Sequence, residues 1–150
     1  MTINYSTIVP SRFDAPFIGT LIGGVRCNYN CPGCFHKDIE DSQVKHIDAD
    51  EFLDSILDDP FSEGVILAGR EWTEQYDEMI YLIDGAYRRS LEIILYTHYT
   101  RQDIEEYYPE LLKYSGMYIK CGEYDENKLV PNNVHYGVPL ASSNQEIIRI

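Results

Sequence analysis

Three of the four cysteines in the chain fall in one short segment, Cys27-Asn-Tyr-Asn-Cys31-Pro-Gly-Cys34-Phe-His36. Thiols this close together serve a metal better than they staple distant segments. At the spacing C-x3-C-x2-C, a loop can wrap a cubane 4Fe-4S cluster, ligate three of its irons and leave the fourth open to a substrate. Pro32 and Gly33 suit the tight turns that bring backbone amides near the cluster sulfurs, where hydrogen bonds help set the potential. A second metal also fits these donors. Cys27, Cys31, Cys34 and His36 could close a tetrahedral zinc site, although the single residue between Cys34 and His36 is tight for zinc. A cluster ligated wholly by protein would need Cys121, far along the chain, which also reads as a small buried hydrophobe.

The elements that must position these thiols alternate between strand-like and helix-like patterns. Short apolar runs at residues 17–25, 65–68, 93–97 and 117–121 are rich in β-branched or aromatic residues, as strands buried on both faces are. The first run leads directly into the cysteines. Between the runs, Asp48 can cap a helix with Glu51 three residues on, and Phe52, Leu53, Ile56 and Leu57 then share a face until Pro60 stops it. Tyr76, Met79, Ile80, Ile83 and Tyr87 recur at helical spacing, with Arg88 and Arg89 at the C-terminal end that favours cations. A third helix starts near Thr100 and runs through Ile104 and Tyr107 towards Pro109. Strands separated by helices lie parallel with right-handed crossovers, so their C-terminal ends share one edge, where such folds place their sites. The cysteine loop, Gly69 to Trp72, Thr97 to Tyr99 and Cys121 to Gly122 should therefore converge. Beyond Val130, Pro131, Asn132, Asn133, Gly137 and Pro139 suggest turns, and residues 146–150 a closing strand or helix end.

A C-x3-C-x2-C motif after a first strand, with Phe35 following the last cysteine, resembles the signature of the radical S-adenosyl-L-methionine superfamily. Within it, the chain is similar to the small activating enzymes of anaerobic (class III) ribonucleotide reductase. The similarity covers nearly the whole chain: the Cys-Pro-Gly-Cys-Phe segment, Tyr-Thr-His-Tyr-Thr at residues 96–100, and Ser-Ser-Asn-Gln at residues 142–145. The resemblance implies an α/β fold, a partial, open (β/α) barrel with a mostly parallel sheet in a single domain over residues 1–150. A complete barrel needs roughly 200 residues or more. It implies that Cys27, Cys31 and Cys34 hold the cluster, and that Tyr29, Gly33 and Phe35 lie beside the bound S-adenosylmethionine. The superfamily's Gly-Gly-Glu-Pro loop, which holds the methionine amino group by its backbone, corresponds to Gly69-Arg70-Glu71-Trp72. Arg70 there either crowds the site or pairs with a substrate carboxylate as a bidentate partner. Thr97 is within reach of the ribose or carboxylate, while His98, where relatives have Gly, and His36 read as packing or solvent-facing residues. Cys121 stands where relatives often carry Asp.

By the same resemblance, one-electron cleavage of S-adenosylmethionine yields a 5′-deoxyadenosyl radical, which takes hydrogen from a glycine of the reductase catalytic subunit. A low-potential donor such as flavodoxin would supply the electron. A radical enzyme acting on another protein or a small molecule shares the cluster argument, and a zinc-binding adaptor is the non-enzymatic alternative. Composition narrows the partners. The net charge is −13, with 25 acidic residues against 12 Lys and Arg, and such a surface repels phosphate backbones, so no nucleic acid is expected. The first residues lack a basic stretch followed by a long apolar run, and glycines break the run at residues 17–25, so neither a leader nor a membrane span is expected and the cytoplasm is the expected address.

Overall fold

The computed structural model describes residues 1–26 and 43–150. The proposed ligands Cys27, Cys31 and Cys34, together with Tyr29, Gly33, Phe35 and His36, lie outside the described residues. The elements are β1 (Thr2–Tyr5), β2 (Ile8–Ser11), β3 (Gly19–Gly24), β4 (Lys45–Asp48), α1 (Ala49–Asp58), β5 (Gly64–Gly69), α2 (Tyr76–Arg88) and β6 (Glu92–Tyr96), followed by α3 (Arg101–Tyr107), β7 (Tyr118–Cys121), β8 (Leu129–His135), β9 (Val138–Ser142) and β10 (Glu146–Arg149).

Six strands form one mixed sheet in the order β10-β7-β6-β5-β3-β2. The centre is parallel, β3 to β5 to β6 to β7, and β2 and β10 flank it antiparallel. Parallel neighbours in chain order mean that every crossover steps the same way, which keeps the helices on one face. Along β5, Val65 and Leu67 join a core with Phe52, Leu53 and Ile56 of α1 and Met79, Leu82, Ile83 and Ala86 of α2. Their alternates, Ile66 and Ala68, face the other way, into a second core with Phe17, Val138 and Leu140. A period of two thus splits one apolar run between two cores.

The four strands expected from the apolar runs are present: β3 and β7 are shorter than their runs, β5 extends one residue beyond its run at each end, and β6 starts and stops one residue earlier. Asp48 caps α1, its carboxylate accepting from the Asp50 and Glu51 amides at 3.1 Å, and Thr100 and Asp103 form a capping box on α3. Two expectations need correction. Leu57, Tyr76 and Tyr87 have helical spacing but are exposed, because the buried stripes run instead through Phe52, Leu53 and Ile56 in α1 and Met79, Leu82, Ile83 and Ala86 in α2. Pro131, Asn132 and Asn133 lie within β8, not in turns, and the irregular pairing between Leu129 and Asn133 accommodates them. The turn itself is at Tyr136 and Gly137, both at positive φ (49° and 80°), the conformation of a tight two-residue hairpin. Residues 146–149 resolve as a strand, β10, paired with β7. No helix among the described residues is long and apolar enough to cross a membrane.

Candidate functional site

Because β3, β5, β6 and β7 run parallel, their C-terminal ends open on one edge of the sheet, and a cavity of about 880 Å³ lies there. Its wall includes Gly69, Arg70, Glu71 and Thr97, so the four described residues singled out by sequence do meet at one place. The volume falls in the ordinary range for small-molecule pockets. The other side of the cavity comes from residues that sequence patterns did not mark, among them Asp14, Lys120 and Leu140, together with Tyr96 at the end of β6. Tyr96 and Leu140 pack in the second core, and Leu140 reaches the cavity because the β8–β9 hairpin folds over the sheet face opposite the helices.

Glu71 joins the β5 loop to the β6 loop. Its buried carboxylate accepts from the Thr97 hydroxyl at 2.9 Å and the His98 amide at 2.8 Å through Oε1, and from the Thr73 amide at 3.2 Å through Oε2. The last bond caps the short helical turn Trp72–Gln75. The Thr97 hydroxyl in turn accepts from the Tyr99 amide at 3.2 Å. Charge-assisted bonds of this kind fix loop geometry strongly. Thr97 and Glu71 therefore shape the cavity mainly through each other. Trp72 is fully buried and donates its indole N–H to the Ala68 carbonyl at 3.0 Å.

Gly69 opens the turn at φ +82°, and a side chain there would meet the Gly23 Cα at 3.0 Å. Glycine lets β5 approach β3 this closely and still turn. Arg70 follows. Its Nε and Nη2 are buried without a hydrogen-bond partner, an expensive arrangement for a guanidinium.

The exit from β3 towards the cysteines is held by a polar network that includes Gln75. The Val25 amide donates to Gln75 Oε1 at 2.7 Å, while Gln75 Nε2 donates to the Asn4 carbonyl at 2.9 Å and to Glu78 Oε2 at 2.7 Å. Asn4 closes the circuit by donating its own amide and its side-chain amide to Glu78. On the return side, Gln43 and Lys45 line the cavity. The chain thus leaves for the cysteine segment, and comes back from it, at this same edge.

The segment at residues 142–145 is a buttress of the far wall. The Ser142 amide donates to Gln145 Oε1 at 3.1 Å, Gln145 Nε2 donates to the Gly122 carbonyl at 3.3 Å, and Asn144 Nδ2 donates to the Glu123 carbonyl at 2.9 Å. Cys121 belongs to the helix-side core. Burial pushes its thiol up to about 12, so it packs there as a neutral, small hydrophobe. Among the described residues, no group of three or more His, Cys, Asp or Glu could hold a metal ion. The cysteine trio of residues 27–34 lies outside the described residues; three thiolates with an aromatic neighbour are a donor set whose chemistry fits a 4Fe-4S group.

The comparisons agree with that donor chemistry. The family model described as a 4Fe-4S single cluster domain matches residues 21–148. The match begins inside β3 and ends inside β10, so it takes in most of β3, all of β5, β6 and β7, and the cysteine segment. No curated protein matches the chain.

Proposed function

Since the chain belongs to the 4Fe-4S single cluster domain family, we propose that it is a radical S-adenosylmethionine activase whose cluster is held by Cys27, Cys31 and Cys34. The observation that carries this reading is the meeting of the chain on either side of those cysteines with the β5 and β6 loops around one cavity of about 880 Å³. A cosubstrate bound there would lie at the edge from which the chain leaves for the cysteine segment and to which it returns. In this reading the open sheet serves as a partial barrel. Its support is the singly wound order of the parallel strands and helices confined to one face.

When bound, the cluster would supply the electron that splits the sulfonium S–C5′ bond of S-adenosylmethionine, and the resulting radical would take hydrogen from a glycine of the anaerobic reductase subunit. The chain's own residues bind and shield. Gly69 permits close backbone approach to the methionine end, and the Glu71 network holds the β5 and β6 loops in one arrangement. The apolar wall of Tyr96 and Leu140 keeps bulk water from the ligand, which strengthens the polar contacts inside. Tyr96 stays protonated, since burial pushes its phenol well above the ordinary range, and its hydroxyl donates to the Asp14 carbonyl at 2.6 Å.

The test is reductive cleavage by protein reconstituted anaerobically with iron and sulfide. The expected result is 5′-deoxyadenosine from S-adenosylmethionine in the unmodified protein and none from Cys31→Ala. Zinc at one per chain, with no product, would instead indicate the adaptor. A glycyl-radical signal in the electron paramagnetic resonance spectrum of added reductase separates activation of that partner from action on another substrate.

A further inference from the structure

We propose that the outer face of the β8–β9 hairpin is the docking surface for the protein substrate, and that the substrate segment lying on it passes from there into the cavity; this deepens the function proposed above and rests on it. Residues 129–145 carry no Asp, Glu, Lys or Arg, the longest such stretch in a chain of net charge −13. The hairpin is built from this stretch. Its inward side chains, Val138 and Leu140, pack in the second core, and the alternation of β9 then turns Pro139 and Ala141 outward, where both are exposed. Val134, opposite Pro139 in the ladder, shares that outer face and is 57% exposed. Leu129 at the root of the hairpin and Tyr136 at its tip are also largely exposed.

Pro139 and Ala141 also line the cavity. The exposed face and the cavity are therefore continuous at β9, and a chain lying along the face reaches the cavity over residues of the uncharged stretch. Elsewhere the lining includes Asp14, Lys45 and Glu123, so the hairpin is the apolar approach. An exposed apolar surface that runs into a pocket is the kind that binds another molecule. The mode is not strand addition. Each strand carries a proline, Pro131 in β8 and Pro139 in β9, and a proline has no N–H to give to a further strand. What the hairpin offers is its side chains. A second copy of the chain is a poor occupant, because a charge of −13 on each molecule opposes self-association. An apolar, uncharged segment of a different protein meets no such penalty, and a glycine within it would arrive at the cavity with its flanking residues held on Val134 and Pro139.

The experiment uses protein reconstituted anaerobically with iron and sulfide, unmodified and as Val134→Glu. Leu57→Glu serves as a control that puts the same charge at a similarly exposed apolar position (51%) on α1. Glycyl-radical formation is followed by electron paramagnetic resonance against the concentration of the anaerobic reductase catalytic subunit. Release of 5′-deoxyadenosine is measured without reductase, and sedimentation velocity reports the oligomeric state. Val134→Glu should raise the reductase concentration needed for half-maximal activation about tenfold or more, since it buries an unpaired carboxylate in the contact. The maximal rate and the reductase-free release should stay unchanged, and Leu57→Glu should alter none of these quantities. An unaltered concentration dependence for Val134→Glu, an equal loss for Leu57→Glu, a fall in reductase-free release, or a dimer that Val134→Glu converts to monomer would overturn the docking assignment while leaving the proposed function standing. Should the unmodified protein release no 5′-deoxyadenosine, or leave the reductase without a radical, the proposed function itself fails and the assignment goes with it.

Discussion

At the scale of single residues, the cavity wall contains side chains whose first task is to hold the protein together. Glu71 looks from sequence like a ligand contact, yet its carboxylate serves three donors on two loops. Removing it would leave the Thr97 hydroxyl and two amides without their acceptor in a buried place. Glu71→Ala should therefore cost about 3 kcal/mol of stability, with the denaturant midpoint lowered and the slope unchanged. A loss below about 1 kcal/mol would mean that water replaces the carboxylate and that the loops do not depend on it. Arg70, one residue earlier, differs, because its Nε and Nη2 are buried without a hydrogen-bond partner.

At the scale of elements, the decisive part is the junction where β3 hands the chain to the cysteine segment. Gln75, in the turn before α2, reaches back to the Val25 amide and is itself held by Asn4 of β1 and Glu78 of α2. Three elements thus fix one amide two residues ahead of the first cysteine. Gln75→Leu keeps the side chain's bulk and removes the acceptor. In hydrogen-exchange mass spectrometry, the peptide containing Val25 should exchange about tenfold faster in this variant, while peptides of β6 and β7 stay unchanged. Unaltered exchange at Val25 would show that strand pairing alone holds the junction.

At the scale of the whole molecule, the sheet is covered on both faces by different devices. Helices cover one face, and the β8–β9 hairpin with the stretch around Phe17 covers the other. The hairpin is the lesser cover, with Leu129, Val134 and Tyr136 largely exposed, but Leu140 is its inward anchor and also lines the cavity. Leu140→Ala should cost about 2 kcal/mol, read from thermal or denaturant unfolding, through lost packing against the sheet. It should also enlarge the cavity. An unchanged midpoint would indicate that the hairpin is held by its hydrogen bonds and not by this contact.

The cysteine motif, the four parallel strands and the capped starts of α1 and α3 were legible in the chain itself, because each rests on local spacing: thiols within one loop, apolar runs, a carboxylate or hydroxyl one turn ahead of free amides. Gly69, Arg70, Glu71 and Thr97 could be nominated because parallel strands bring their C-terminal ends to one edge. Only the tertiary structure decided what those residues do there. Whether Glu71 is open or engaged depends on Thr97 and His98, more than twenty residues away, and no periodicity encodes such a pairing. The same holds for Gln75 and Val25, and for the hairpin that supplies the cavity's second wall. Local pattern reports what a segment prefers, whereas a buried polar atom's partner is set by which distant segments packing brings against it.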